Sequence, residues 1–184
     1  TFQAINETTA ALEIYDRILK MTTATAELIS LTHNRIAWKA YVDGDLPKSR
    51  AAYETALRID PESTDVRYGL ALVLARVGDP AGASREVEYL LREKAHRSDT
   101  HVCRGEVRRQ SGDLAGALDD FREALKRNPR NPDAYGYRGL VRLAEGKAAE
   151  AADDFRNCYL LDPYQKPYFE RLASQIGSPM AKSP

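Results

Sequence analysis

The side chains that could support catalysis or metal binding are few in this 184-residue sequence. The histidines are His33, His96 and His101, and the two cysteines are Cys103 and Cys158. Only His101 and Cys103 lie close together, and residues at i and i+2 do not face each other on a helix. A structural zinc site needs four ligands, and this pair supplies two. The sequence therefore predicts no enzyme, no metal site and no cofactor.

Composition narrows the class of protein further. Lys and Arg total 27 and Asp and Glu total 27, so the formal net charge is zero. A generic nucleic-acid-binding protein carries a positive excess that displaces counterions from phosphate, so nucleic acid is not an expected partner. Because no apolar run approaches the ~20 residues of a membrane span, we expect a soluble protein without membrane insertion. Two cysteines fit the cytoplasm or the periplasm equally well.

The strongest pattern is a repeat of 34 residues. Gly44, Gly78, Gly112 and Gly146 follow one another at this spacing without slippage. Three further columns keep the same register, which excludes chance. These columns are Ser49, Ala83, Ala117 and Ala151; Tyr53, Val87, Phe121 and Phe155; and Ala56, Leu90, Ala124 and Cys158.

The spacing within one repeat is helical. Ala117, Phe121 and Ala124 occupy positions i, i+4 and i+7, which lie on one face of an α-helix. Gly112 and the Asp after it form a turn dipeptide. Pro129 stops the second helix, because Pro disfavours helical geometry in the residue before it. Each unit is therefore predicted to be a helix–turn–helix.

These columns resemble the pattern of the tetratricopeptide repeat family. The resemblance implies an all-α fold, a right-handed α-α superhelix (solenoid) of stacked 34-residue helix-turn-helix repeats, with the first helices on the concave side. A lone unit cannot bury its apolar face, and stacking buries a continuous core. The expected organisation is a degenerate or partial repeat at 1–29, four repeats at 30–63, 64–97, 98–131 and 132–165, a C-terminal capping helix at 166–176 and a disordered tail at 177–184.

Two charged pairs depart from the family pattern. Arg104 and Arg138 stand where a large apolar residue is usual, and Asp120 and Asp154 occur in the same two units. The unit 30–63 has Ile and Ala at the equivalent positions. We interpret each pair as an ion pair between the two helices of one unit, because a half-buried Arg is normally paired. The alternative is a basic stripe for an anionic ligand.

The resemblance also implies a function. Members of this family bind partners mainly through inward-facing residues of the first helices, so we expect a protein–protein interaction scaffold or adaptor that holds a partner segment in its concave groove. Trp38 either anchors the partner or packs against the N-terminal helix. The expected partner-binding residues are Asn34, Arg35, Trp38, Tyr41, Asp65, Tyr68, Leu72, Arg76, Asp99, Val102, Glu106, Arg109, Tyr137 and Leu140.

One activity within the family is not expected. Its co-chaperones hold a C-terminal carboxylate with a clamp of Lys, Asn and Arg side chains on three first helices. The equivalent positions here lack that cationic set, so we predict no binding of heat-shock chaperone tails. They are Asn34, Trp38, Gly69, Asp99 and Cys103 if the clamp starts in the unit 30–63, and Tyr68, Leu72, Cys103, Asp133 and Tyr137 if it starts in the unit 64–97.

A second function, of another class, stays open. The chain would then be a structural spacer or a self-assembling scaffold segment of a larger machine, such as a bacterial envelope export or secretion protein. A homo-oligomer formed through exposed end helices is a variant of this alternative.

Overall fold

The computed structural model describes residues 2–21, 24–94 and 97–176. These residues form ten α-helices and a short 3₁₀ turn, and there is no β-strand among them. The expected disordered tail, 177–184, lies outside the described residues. The helices α1–α10 are Phe2–Lys20, Ala26–Asp43, Leu46–Ile59, Thr64–Arg76, Pro80–Lys94, Ser98–Gln110, Leu114–Arg127, Pro132–Ala144, Ala148–Leu161 and Lys166–Gln175, and the 3₁₀ turn is Pro163–Gln165.

Helices α2 to α9 form four helix pairs stacked in chain order. Each first helix packs against its own second helix and against the first helix of the next pair. This is the predicted all-α repeat solenoid. Helix α2 begins at Ala26, earlier than the boundary expected at residue 30. Within the described ranges no helix is long and apolar enough to cross a bilayer.

The turn inside each pair explains the glycine column. Gly44 and Gly112 have φ angles of 90° and 85°, in the left-handed region that residues with a Cβ seldom adopt. In both turns an Asp follows and caps the next helix. The Oδ1 of Asp45 accepts from the amide of Lys48 at 3.2 Å, and Asp113 accepts from Gly116 at 2.9 Å.

The small-residue columns lie where the helices of a pair come closest. Ala117, Phe121 and Ala124 are fully buried in α7. A Cβ at Gly105 in α6 would lie 2.6 Å from the Phe121 ring, so the glycine makes room for the aromatic residue. The missing side chain at Gly105 and the ring of Phe121 are therefore two sides of one contact.

The predicted ion pairs join the two helices of a unit. Arg104 donates to Asp120 from Nε at 2.9 Å and from Nη2 at 2.5 Å, and Arg108 donates to the same carboxylate at 2.9 Å. Asp120 is 2% exposed. The arrangement recurs at Asp154, which accepts from Arg138 and Arg142. The interpretation as interhelical ion pairs is confirmed.

The end helices differ in how they pack. Helix α1 packs against α2, and Ile14 on α1 is 52% exposed. Helix α10 packs against α8 and α9, and its residues Tyr168, Phe169 and Leu172 are buried. Helix α10 is therefore part of the core, and it brings the C-terminal region close to α2.

Candidate functional site

The centre of the inner surface, formed by the first helices α2, α4, α6 and α8, is closed by tyrosines. The hydroxyls of Tyr41, Tyr137 and Tyr168 form a triangle with O–O distances of 3.3, 3.0 and 3.0 Å. All three side chains are buried. The rings of Tyr41 and Tyr168 lie 5.6 Å apart. This tyrosine triangle joins the first repeat, the last repeat and α10, and it fills the middle of the groove.

A buried carboxylate lies on the same surface. Glu106 is fully buried and accepts from Nε and Nη2 of Arg109 at 2.6 and 2.9 Å and from the Gln110 amide at 2.8 Å. Burial, and then the charge of Glu106, raises the pKa of Tyr41. Burial likewise raises the pKa of Tyr137 well above its usual range. The tyrosine hydroxyls are therefore neutral at physiological pH.

The structure buries several residues that the sequence predicted as partner contacts. Their side chains belong to the core and present no surface to a partner, which differs from the prediction. For the tyrosines the physical reason is a contact across the groove, between Tyr41 on α2 and Tyr137 on α8. Leu72, Val102 and Leu140 belong to the hydrophobic core of the stacked helices. The buried residues are Tyr41, Leu72, Val102, Glu106, Tyr137 and Leu140.

Three further predicted residues lie on α2. Trp38 is half-buried and stacks on Tyr41 with ring centroids 5.5 Å apart. Asn34 is half-buried and Arg35 is exposed. These residues do not line the two pockets described next.

An acidic cleft opens at the start of the first helices. Asp65, Asp99 and Asp133 stand at equivalent positions in the first turns of α4, α6 and α8. Tyr68 lines the same opening. The cleft has a volume of about 230 Å³, and it brings together the predicted residues Asp65, Tyr68 and Asp99. Its lining is Thr64, Asp65, Tyr68, Leu90, Arg97, Asp99, Thr100 and Asp133.

Negative charge is crowded in the acidic cleft. Burial raises the pKa of Asp133 to about 6. Hydrogen bonds from the side chains of Gln165 and Tyr68 oppose the rise, and the carboxylates of Asp99 and Asp162 add to it. Asp99 accepts from the Asn131 amide at 2.9 Å. Its Oδ2 lies 3.9 Å from a guanidinium nitrogen of Arg97. One exposed Arg therefore faces three carboxylates.

Replacing Asp133 with Asn should stabilise the protein at neutral pH. The pKa of Asp133 is about 6 in the folded state against 3.8 for a free side chain, so this group makes stability fall as pH rises between about 4 and 6. We expect the variant to gain about 1–3 kcal/mol of unfolding free energy near pH 7.5 and little near pH 4. Urea unfolding of the wild type and the variant at both pH values measures this gain in unfolding free energy. Asp119→Asn, an exposed control, should show no such difference; equal effects of Asp133→Asn at the two pH values would contradict the prediction.

A second, basic pocket opens at the other end of the first helices. Arg76, the last residue of α4, donates to the carbonyl oxygen of Tyr41 at 3.3 Å, and its guanidinium carbon lies 4.7 Å from the centroid of that ring. The basic pocket brings together the predicted residues Arg76 and Arg109 and has a volume of about 410 Å³. Its lining is Leu46, Arg76, Arg109, Gln110, Leu172, Gln175 and Ile176.

His101 and Cys103, which both lie on α6, take part in packing. Cys103 is fully buried, its Sγ lies 3.9 Å from the carbonyl oxygen of Tyr68, and burial raises its pKa. The thiol is therefore protonated at physiological pH. His101 is buried beside Asp120, with Nδ1 3.7 Å from Oδ1. Among the described residues no three His, Cys, Asp or Glu side chains gather closely enough to hold a metal ion.

Some residues of the two pockets were not among the predicted contacts. Leu172 and Gln175 could not be predicted as pocket residues from the sequence, because α10 lies outside the repeat and the period does not define where it packs.

Comparisons with solved structures give helical repeat proteins. TTC0263, a thermophilic TPR protein of Thermus thermophilus, has a TM-score of 0.61 at 20% identity over 80% of this chain and 83% of that one. YrrB, a TPR protein with an unusual peptide-binding site, has a TM-score of 0.51 at 20% identity, covering 92% and 85%. The APC/C hetero-tetramer Cut9–Hcn1 contributes a chain with a TM-score of 0.64 at 14% identity, covering 93% and 34%. At these identities the likeness shows the fold alone.

The sequence comparison identifies the family. No significant match to a curated protein sequence is found. The family model of the tetratricopeptide repeat matches residues 34–97 and 104–163, which together are more than half of the chain. The 34-residue columns, the stacked helix pairs and this match agree: the chain belongs to the tetratricopeptide repeat family.

Proposed function

We propose that this protein is an interaction adaptor and that its acidic cleft binds a partner segment carrying Lys or Arg. The observation that carries the proposal is the placement of equivalent Asp residues from three successive repeats around one opening beside Tyr68. Tyr is a frequent anchor in protein interfaces. The family fold commonly mediates protein–protein interaction, and the cleft gives that general role a chemical preference.

Helix stabilisation alone does not account for the acidic surroundings of Asp133. An Asp in the first turn interacts favourably with the helix dipole, which explains one carboxylate per helix. It does not explain the crowding at Asp133, whose pKa is raised to about 6 by burial and by its acidic neighbours. That crowding opposes ionisation, and a cation from a partner would favour it.

The centre of the inner surface is a poorer candidate for the partner. The tyrosine triangle fills it, and its three side chains are buried. A segment could enter there only after α10 had left. Asp65 and Asp99 are exposed and Tyr68 is half-buried, so the acidic cleft can be contacted without rearrangement.

Selection from a random peptide library tests the proposal. We expect the selected peptides to be enriched in Lys and Arg. Their affinity should fall about 10-fold or more in Asp65→Asn/Asp99→Asn, because charge-assisted hydrogen bonds are lost. The matched control is Asp119→Asn/Asp153→Asn, which removes the same charge from exposed positions on α7 and α9. Affinity should also rise as pH increases through about 6, because Asp133 ionises there.

Three results would contradict the proposal. Selected peptides that are acidic or purely apolar would show that the cleft does not set the preference. Basic peptides that bind both double variants with equal affinity would show that the binding site lies outside the acidic cleft. A spacer, the alternative function, would select no peptide at all.

A further inference from the structure

The half-buried arginines of this protein divide into two groups. Six of the eight in the described residues form ion pairs with carboxylates, as a half-buried guanidinium normally does. Within the same residues, Arg76 and Arg171 form none. The six paired residues are Arg67, Arg104, Arg108, Arg109, Arg138 and Arg142.

Arg76 and Arg171 instead contact the end of α2. Arg76 donates to the carbonyl oxygen of Tyr41 and Arg171 to that of Val42. Both guanidinium carbons lie 5.9 Å from the centroid of the Tyr168 ring. The C-terminal end of a helix carries a partial negative charge that favours cations, which accounts for one hydrogen bond from each Arg. Neither contact neutralises a full positive charge.

The basic pocket offers further donors beside Arg76. Arg109 uses Nε and Nη2 to bind Glu106, and the structure gives its Nη1 no acceptor among the described residues. The side-chain amide of Gln110, which also donates to Glu106, and that of Gln175 line the same pocket, and no carboxylate is part of the described lining. The lining is therefore rich in donors, and Arg76 is its one cation without a carboxylate partner among the described residues.

We propose that the basic pocket binds a carboxylate side chain of an acidic peptide segment. Arg76 supplies the planar donor pair that matches a carboxylate, Arg109 and the amides add donors, and the apolar residues hold the methylene stem. The sequence of residues 177–184 contains no Asp or Glu, so these residues cannot supply such a side chain.

This site is separate from the acidic cleft. Asp65 and Arg76 lie at opposite ends of α4, about 16 Å apart along the helix axis. The residues of the basic pocket also differ from the positions of the chaperone-tail clamp given above. The inference therefore does not rest on the proposed function.

Titration with an acetylated, amidated tetraglutamate peptide tests the inference. NMR signals of the arginine Nε–Hε groups report the site directly. We expect saturable shifts at Arg76 and Arg109, and an affinity about 10-fold or more lower in Arg76→Gln, the size of one charge-assisted hydrogen bond. Arg85→Gln, which removes an exposed charge from α5, is the control and should bind as the wild type does.

A second variant keeps the test valid if Arg76→Gln does not fold. Gln175 is exposed on α10, so Gln175→Glu should fold while placing a competing carboxylate at the pocket, and its affinity should fall as well. Binding to Asp65→Asn/Asp99→Asn should not weaken, which separates this inference from the proposed function.

Three outcomes would overturn the inference. The first is the absence of saturable shifts at Arg76. The second is equal affinity in the wild type, Arg76→Gln and Gln175→Glu. The third is tighter binding of inorganic phosphate than of tetraglutamate at equal ionic strength, which would make the pocket a phosphate site.

Discussion

Replacing Asp120 with Ala should lower the free energy of unfolding by about 3 kcal/mol, because removing one partner of a buried ion pair leaves the other charge uncompensated. Arg104 and Arg108 both donate to this carboxylate, which is 2% exposed. Their own side chains keep 32% and 38% exposure, so water compensates part of the loss. Urea unfolding followed by circular dichroism measures the change.

The first repeat supplies a matched control for this variant. Its equivalent positions are the apolar Ile36, Ala40 and Ala52. A triple variant, Arg104→Ile/Arg108→Ala/Asp120→Ala, copies them into the third pair. Well-packed apolar residues can replace a buried ion network without loss, so we expect the triple variant to recover to within about 1 kcal/mol of the wild type. A triple variant less stable than Asp120→Ala alone would show that the ion network is required.

Replacing Gly136 with Ala should displace α10 and cost about 3 kcal/mol, at the upper end of overpacking in a core. A Cβ at Gly136 would lie 2.2 Å from Cζ of Phe169. The Phe169 ring is fully buried, so it has no free space to enter. Two measurements would report the displacement. Hydrogen exchange across α10 should become faster, and the fluorescence of Trp38 should change, because Trp38 stacks on Tyr41 and Tyr41 bonds to Tyr168 of α10.

A double-mutant cycle separates this clash from a general effect of Ala at Gly136. Phe169→Leu makes the facing side chain smaller, so Gly136→Ala should cost less in that background than in the wild type. Equal costs in both backgrounds would mean that the ring is not the obstacle and that α10 approaches α8 for another reason.

The repeat was predictable because it depends on local spacing. Gly112 must adopt a positive φ angle and Gly105 must make room for Phe121. Each requirement selects a particular residue type at a fixed position of the repeat, so it can be recognised in the sequence. The pairing of Arg104 with Asp120 was predictable for a similar reason, since the two types appear together in two units and are both replaced in another.

The centre of the candidate site was not predictable from the same columns. Inward-facing positions such as Tyr41 and Tyr137 are open to a partner only if the first helices stay apart. The distance between α2 and α8 depends on small packing angles summed over the repeats, and no single column records that sum. The position of Tyr168 depends on α10, which has no place in the period.

The tyrosine triangle also changes how the array should unfold. A repeat array in which each unit contacts only its neighbours loses structure one unit at a time from its ends. Here the hydroxyl of Tyr168 bonds to that of Tyr41, 127 positions earlier. Fraying of α10 removes support from the first pair, and fraying of the first pair removes support from α10. We therefore expect the two ends of the array to unfold together and not independently of each other.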